Sequence, residues 1–281
     1  TAHKGLGLIT EVFQNGELKD LKGKGAIGHV RYATAGGGGF ENVQPLFFRS
    51  QNNGSLALAH NGNLVNATQL KQQLENQGSI FQTSSDTEVL AHLIKRSGYI
   101  ELKEQIKNAL SMLKGAYAFL IMTETEMIVA LDPNGLRPLS LGMLGDAYVV
   151  ASETCAFDVV GATYLRDVEP GEMLIINDEG LKSERFSMNI NRSMCSMEYI
   201  YFSRPDSNIN GINVHSARKN LGKKLAEEAH VEADVVTGVP DSSISAAIGY
   251  AEATGIPYEL GLIKNRYVGR TFIQPSQALR E

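Results

Sequence analysis

Cysteine is scarce in this 281-residue chain, tryptophan is missing and no apolar run is long. The two thiols, Cys155 and Cys195, are too few and too far apart for a disulfide framework or a zinc site. The longest uninterrupted apolar run, Ala116 to Met122, falls far short of a membrane span. The opening Thr1-Ala-His-Lys-Gly carries no signal-peptide pattern, so a soluble cytoplasmic protein is expected. Charge of one sign is lacking too: 26 Lys and Arg against 31 Asp and Glu leave a net charge of -5. That balance gives neither nucleic acid nor an anionic membrane a reason to bind. No repeat, low-complexity tract or heptad pattern occurs. What remains is small-molecule chemistry in a chain long enough for two domains.

Up to about Asn177 the sequence reads as strands around a helical insert. Residues 25–31 predict a short apolar strand opening into the glycine run Gly36 to Gly39. Residues 55–60 predict another strand. Residues 66–77 are amphipathic with a stop at Gly78, Ser85 and Glu88 form a capping-box pattern for a helix to Arg96, and a third helix covers 102–113. Strands follow at 117–123, 127–131, 139–142, 147–151 and 172–176. Strand groups able to stack, with helices between them in sequence, imply an α+β layered domain. The remainder alternates: strand 197–202, helix 216–229, strand 233–238, helix 243–254 and extended 258–263, the pattern of a doubly wound parallel sheet. The expected division is 1–190 and 191–281.

Five Asn-Gly pairs occur, at Asn15, Asn53, Asn61, Asn134 and Asn210. Each signals a tight turn, because the pair tolerates positive φ. Asn61-Gly62 stands out for what lies around it. An enzyme that cuts the side-chain amide of an amino acid needs a guanidinium for the α-carboxylate, a carboxylate for the α-ammonium and two fixed donors for the oxyanion. Arg31 at one strand end, Asp86 at a helix start and Asn61-Gly62 at another strand end supply those types, with Thr34 a hydroxyl nearby. Singly, each has a plainer reading as surface arginine, helix cap, turn or loop hydroxyl. Asp241-Ser242-Ser243 begins a helix, a place that holds anions or hydrated metal phosphate and equally a place where such residues only cap. Lys264, Arg266 and Arg270 around Gly269 suit either a closing loop or a solvated basic turn. Cys195 alone reads as a small buried hydrophobe. The six histidines show no ligand spacing and are assigned nothing.

Three linked segments, Gly28-His-Val-Arg-Tyr-Ala-Thr34, His60-Asn-Gly-Asn-Leu64 and Ser84-Ser-Asp-Thr-Glu88, resemble in order the glutaminase domains of N-terminal-nucleophile amidotransferases. Residues 131–138, 151–154 and 168–171 continue the likeness. In the second half, residues 199–207, Gly238-Val-Pro-Asp-Ser-Ser243 and 264–273 are similar to the amidophosphoribosyltransferase family, so the resemblance spans essentially the whole chain. It implies an αββα glutaminase domain followed by a partial type I phosphoribosyltransferase domain. It implies that Arg31 and Asp86 bind glutamine, that Asn61 and Gly62 form the oxyanion hole, and that Thr34 lines the pocket. Ammonia released there would displace pyrophosphate from phosphoribosyl pyrophosphate to give 5-phosphoribosylamine, the first step of purine synthesis. Lys264, Arg266 and Arg270 would close over the sugar diphosphate, and Ser242 would contact magnesium. In the iron-sulfur branch of the family, Cys195 corresponds to a ligand of a 4Fe-4S cluster. Such a cluster takes four thiolates, so this chain cannot build it by itself. Purine nucleotides as inhibitors and a homo-oligomer are further implications.

The likeness breaks at both ends. Family members begin on a cysteine whose own α-amino group is its base, whereas this text begins on Thr1, which the resemblance puts inside the domain. The family's paired aspartates of the phosphoribosyl pyrophosphate loop have no counterpart here. The expectation is an internal fragment, inactive alone, with an exposed sheet edge prone to association. Competing readings are a free-standing hydrolase using Thr1 and a glutamine-binding module without turnover. On the first half alone, a sugar-phosphate aminotransferring synthase also competes.

Overall fold

The computed structural model describes residues 1–14, 16–31, 39–50 and 54–265. In chain order its elements are α1 (Ile9–Val12), β1 (Leu46–Ser50), β2 (Gly54–Leu64), α2 (Ala67–Asn76), α3 (Thr87–Arg96), α4 (Leu102–Met112), β3 (Gly115–Met122), β4 (Met127–Leu131) and β5 (Ser140–Leu144). There follow β6 (Ala147–Ala151), α5 (Cys155–Val160), β7 (Thr163–Asp167), β8 (Glu172–Asn177), β9 (Gly180–Arg185), β10 (Asn208–Ile209), β11 (Ile212–Asn213), α6 (Val214–Glu228) and α7 (Ile244–Thr254). They form two compact units, one of Thr1–Ser152 with Ala156–Cys195, the other of Glu153–Cys155 with Ser196–Glu281.

An antiparallel sheet in the order β1-β2-β3-β4-β8-β9 carries the first unit, accompanied by a three-stranded sheet β6-β5-β7. Side chains along a strand alternate between faces. In β3, Tyr117, Phe119 and Ile121 therefore join a core with Leu90, Ile106 and Leu110 of the helices, while Ala118 joins a second core with Val129, Leu141 and Val168. A sheet buried on both faces needs an apolar run rather than strict alternation, which is what residues 116–122 supply. This is the layered α+β stacking predicted from sequence.

Three predicted strands and one predicted extended segment differ. Residues 25–30 join no ladder. Residues 233–238 and 258–263 meet in a single parallel bridge, Val236 with Tyr258. Residues Glu198–Phe202 wind into a π turn instead of a strand. Its open carbonyls explain why: the buried Arg218 guanidinium donates to Tyr199 O at 2.6 Å and to Ser203 O at 2.7 Å. Among the described residues no helix is long and apolar enough to cross a membrane.

In the second unit α6 and α7 touch backbone to backbone. A Cβ on Gly222 would lie 1.9 Å from Ala246 O, and one on Gly249 would lie 1.9 Å from Lys219 O. Gly222→Ala is expected to destabilise this unit by about 2 kcal/mol, the scale of an overpacked contact. Urea unfolding that leaves the variant's midpoint at the wild-type value contradicts this.

Candidate active site

The site is built where β2 outruns β1. Pairing with β1 stops at Leu58, opposite Leu46, whereas pairing with β3 continues to Leu64, opposite Gly115. In an antiparallel ladder, alternate residues turn both N–H and C=O to the same neighbour. Val65 N–H donates to Lys114 O at 2.9 Å, so Asn61 and Asn63 bond to β3 and His60, Gly62 and Leu64 face the side that β1 has left. Most of that edge is taken by other groups. His60 N–H donates to Gln44 Oε1 at 2.7 Å, His29 Nε2 lies 3.0 Å from His60 O, and Leu64 N–H donates to Asp86 Oδ2 at 2.8 Å. Between them, the Gly62 N–H has no partner among the described residues.

Asn61-Gly62 is therefore not the turn that its sequence signals. It lies within a ladder, with Asn61 opposite Ala118 and Gly62 opposite Tyr117. Gly62 has φ +148°, and a Cβ there would lie 2.1 Å from Ala116 O. The Asn210-Gly211 pair shows the ordinary behaviour: φ values of 49° and 75° make the turn between β10 and β11. Asn61 has its backbone bonded to β3 and keeps only its side-chain amide, which alternation places with Ala118, on the face opposite His60 and Phe119.

Asp86 reaches the same edge from the start of α3. Its side chain makes no cap to that helix and points instead to Leu64 N–H. Burial pushes its carboxyl upward, but the His60 ring, with Nδ1 3.7 Å from Oδ1, and the Leu64 and Thr87 N–H groups outweigh it. The net direction is below the ordinary carboxylate range, so Asp86 stands ionised. Arg31 follows His29 by two residues; His29 docks on His60 O and its ring feels the Arg31 charge. Burial and that charge lower the His29 pKa, and its buried Nδ1 has no hydrogen-bond partner among the described residues.

Glu88 corrects a second expectation. It forms no capping box with Ser85, because its carboxylate turns back to the preceding loop. There it accepts from Gln82 N–H at 2.9 Å, Thr83 N–H at 2.7 Å and the Thr83 hydroxyl at 2.7 Å. Burial raises its pKa, but His92 and these donors prevail and hold it at about 2, from an ordinary 4.5. A depressed carboxylate contributes stability that is full above its unfolded value and lost as pH falls from about 4.5 through about 2. Glu88→Gln is expected to lose about 2 kcal/mol at pH 7, with the gap to wild type closing across that window. Thermal melts at pH 7, 4.5 and 3 check it; a gap that does not change with pH rules it out.

Thr34, Arg266, Arg270 and the Gly269 hinge lie outside the described residues. Ser242 and Lys264 belong to the second unit, where Lys264 Nζ pairs with Asp241 Oδ2 at 3.2 Å and Ser243 Oγ donates to Val239 O at 2.5 Å. Ser242 also lines a largely apolar cavity of about 310 Å³ with Ile200, Leu221 and Leu225. Cys195 is half-buried and Cys155 buried, both free thiols. No group of three or more His, Cys, Asp or Glu suited to a metal occurs among the described residues. Sequence reasoning missed Gln44, His60 and Thr87, although His60 sits in the motif it singled out.

The glutamine amidotransferase domain family matches residues 32–159, which contain β2 and Asp86. Over all 281 residues the chain is 92% identical to the amidophosphoribosyltransferase of Bacillus subtilis (strain 168) and spans 59% of its length. The chain is thus similar over its whole length to part of an amidophosphoribosyltransferase. The amidophosphoribosyltransferase of Staphylococcus aureus (strain COL) is 52% identical over 280 residues, 56% of its length. A solved B. subtilis structure, described as glutamine phosphoribosylpyrophosphate amidotransferase complexed with ADP and GMP, matches with a TM-score of 0.92 at 91% identity, covering all of this chain and 61% of that one. Against these amidophosphoribosyltransferases the fold is the glutaminase fold expected from the sequence motifs.

Proposed function

We propose that this chain holds the glutaminase unit and the first part of the transferase unit of an enzyme making 5-phosphoribosylamine from glutamine and phosphoribosyl pyrophosphate. The observation that carries the reading is the Gly62 N–H on the β2 edge, without a partner among the described residues, with an ionised Asp86 bonded two residues further along. Its setting, a chain 92% identical to an amidophosphoribosyltransferase, supports the substrate assignment. Asp86 takes the α-ammonium of glutamine, Arg31 grips the α-carboxylate with two hydrogen bonds, and Thr34 walls the pocket. In the longer protein, the thiol of the N-terminal cysteine that the resemblance implies would pass its proton to its own α-amino group and attack the side-chain amide carbon, driving the carbonyl electron pair onto oxygen, where the Gly62 N–H and the Asn61 amide donate to the oxyanion. Collapse breaks the C–N bond and expels ammonia, which takes up that proton, and water then hydrolyses the resulting thioester to glutamate and free thiol. The ammonia displaces pyrophosphate from phosphoribosyl pyrophosphate, with Lys264, Arg266 and Arg270 neutralising the diphosphate.

Ser242 is a hard oxygen donor of the kind magnesium takes, and it would hold the ion that offsets the charge of the departing pyrophosphate. Cys195 offers one thiol where an iron-sulfur cluster needs four, and the chain's two cysteines do not complete the set. We assign Cys195 as one such ligand of the longer protein and route no step through a cluster. The B. subtilis relative, described as complexed with ADP and GMP, supports purine nucleotides as regulators; a cytoplasmic homo-oligomer is part of the same proposal.

The test is glutamate release from glutamine, with and without phosphoribosyl pyrophosphate, by this chain and by a chain extended to the relatives' length. Turnover by the extended chain alone is expected. Turnover by the 281-residue chain that stops when Thr1 is blocked selects the Thr1 hydrolase instead. Binding without turnover in both forms selects a glutamine-binding module.

A further inference from the structure

We infer that Gln44 is a positioning residue that sets the separation between the oxyanion donor and the ammonium-binding carboxylate; the inference rests on the glutaminase reading of this edge. Gln44 lies just ahead of β1 and is 7% exposed. Its Oε1 accepts the His60 N–H at 2.7 Å while its Nε2 donates to Thr87 Oγ1 at 3.3 Å. A side-chain amide carries an acceptor and two donors on one planar group, so a single residue makes both bonds. To His60 it stands in for the next residue of β1, at the point where that strand has ended. To α3 it is an anchor on the first residue of the helix.

The surroundings close this link into a ring. Thr87 Oγ1 lies 3.1 Å from His60 Nδ1 and 3.1 Å from Ser85 Oγ, and the His60 ring stacks on Phe119 at 4.4 Å between centroids. Gly62 follows His60 by two residues and Asp86 precedes Thr87 by one. The Leu64–Asp86 bond is a second tie across the same gap. Glutamine must be held at its ammonium and at its reacting carbonyl at once. A shift of one grip against the other therefore lowers the rate even when every contacting group is present.

The experiment uses the full-length protein. Gln44→Met keeps length and volume and removes both bonds, Thr87→Val removes the hydroxyl at the other end, and Thr87→Ser keeps it. Each of the first two is expected to lower kcat/KM for glutamine hydrolysis about tenfold or more. Their combination is expected to fall no further than the worse single variant, because both report one link. Thr87→Ser should stay near wild type, as should the melting midpoints and synthesis fed with ammonium chloride in place of glutamine. Glutamine hydrolysis at the wild-type rate in both singles overturns the inference while leaving the glutaminase reading intact. Losses that multiply, or that run in parallel with ammonia-fed synthesis and thermal stability, overturn it as well. If Gln44→Met does not fold, Thr87→Val against Thr87→Ser decides. A wild-type protein that releases no glutamate fails the glutaminase reading itself.

Discussion

Gly62→Ala is expected to lower kcat/KM for glutamine hydrolysis by the full-length protein at least 100-fold, while synthesis fed with ammonia persists. The substitution adds one carbon, and that carbon has nowhere to go. It would lie 2.1 Å from Ala116 O and 2.7 Å from the Ala116 carbonyl carbon, both backbone atoms of β3. The facing strand is as tight, since a Cβ on Gly115 would lie 2.4 Å from Asn63 O. Neither strand can yield by turning a side chain, so the ladder must part where it carries the Gly62 N–H, the proposed oxyanion donor. The φ of +148° at Gly62 adds backbone strain that glycine alone escapes. Loss of one oxyanion donor typically lowers kcat by about 100- to 1,000-fold, and overpacking adds about 1–3 kcal/mol of instability. Glutamate release and a melting curve on the same preparation measure the two effects. Gly62→Ala with wild-type turnover would show that this N–H takes no part.

Elements whose apolar period is long and cleanly bounded were legible in the sequence. Strands β4 and β6 fall where predicted, and α2 to α4, α6 and α7 lie within a few residues of prediction. Elements decided by tertiary partners were not. Residues 197–202 carry a strand-like apolar text, but the buried Arg218, distant in sequence, captures the carbonyls of a π turn. Strands β1, β7 and β9 are short and exist through their ladders, with β9 pairing along β8 from Glu172 with Arg185 to Asn177 with Gly180. The Asn-Gly pair shows the limit most clearly: identical dipeptides make a hairpin at Asn210 and an interior strand position at Asn61. Local chemistry permits both, and only the length of β1 determines which backbone groups of β2 remain open. Motif order pointed to Arg31, Asn61, Gly62 and Asp86, yet nothing in the text exposed the Gln44–His60–Thr87 link behind them. A half-buried His29 and a fully enclosed Thr87 look in sequence like any loop histidine and helix-start threonine.

Asp86→Asn in the full-length protein is expected to raise the KM for glutamine about 100-fold, with a smaller change in kcat. Asn keeps the shape and can still accept the Leu64 N–H, so the strand edge and the Gly62 donor stay in place. What disappears is the negative charge proposed to meet the substrate ammonium. Truncating one member of a desolvated, hydrogen-bonded charge pair weakens binding by about 2–5 kcal/mol, and 100-fold corresponds to about 2.7 kcal/mol. Because the Asp86 carboxyl titrates below the ordinary carboxylate range, the wild-type KM should hold steady as pH falls and rise only when the pH drops through that lowered value. A glutamine analogue lacking the α-amino group isolates the contact. Wild type and Asp86→Asn should hydrolyse that analogue with similar KM, since the charge they differ in has nothing to meet. If the variant's penalty is as large for the analogue as for glutamine, Asp86 acts on the fold of the edge and not on the ammonium.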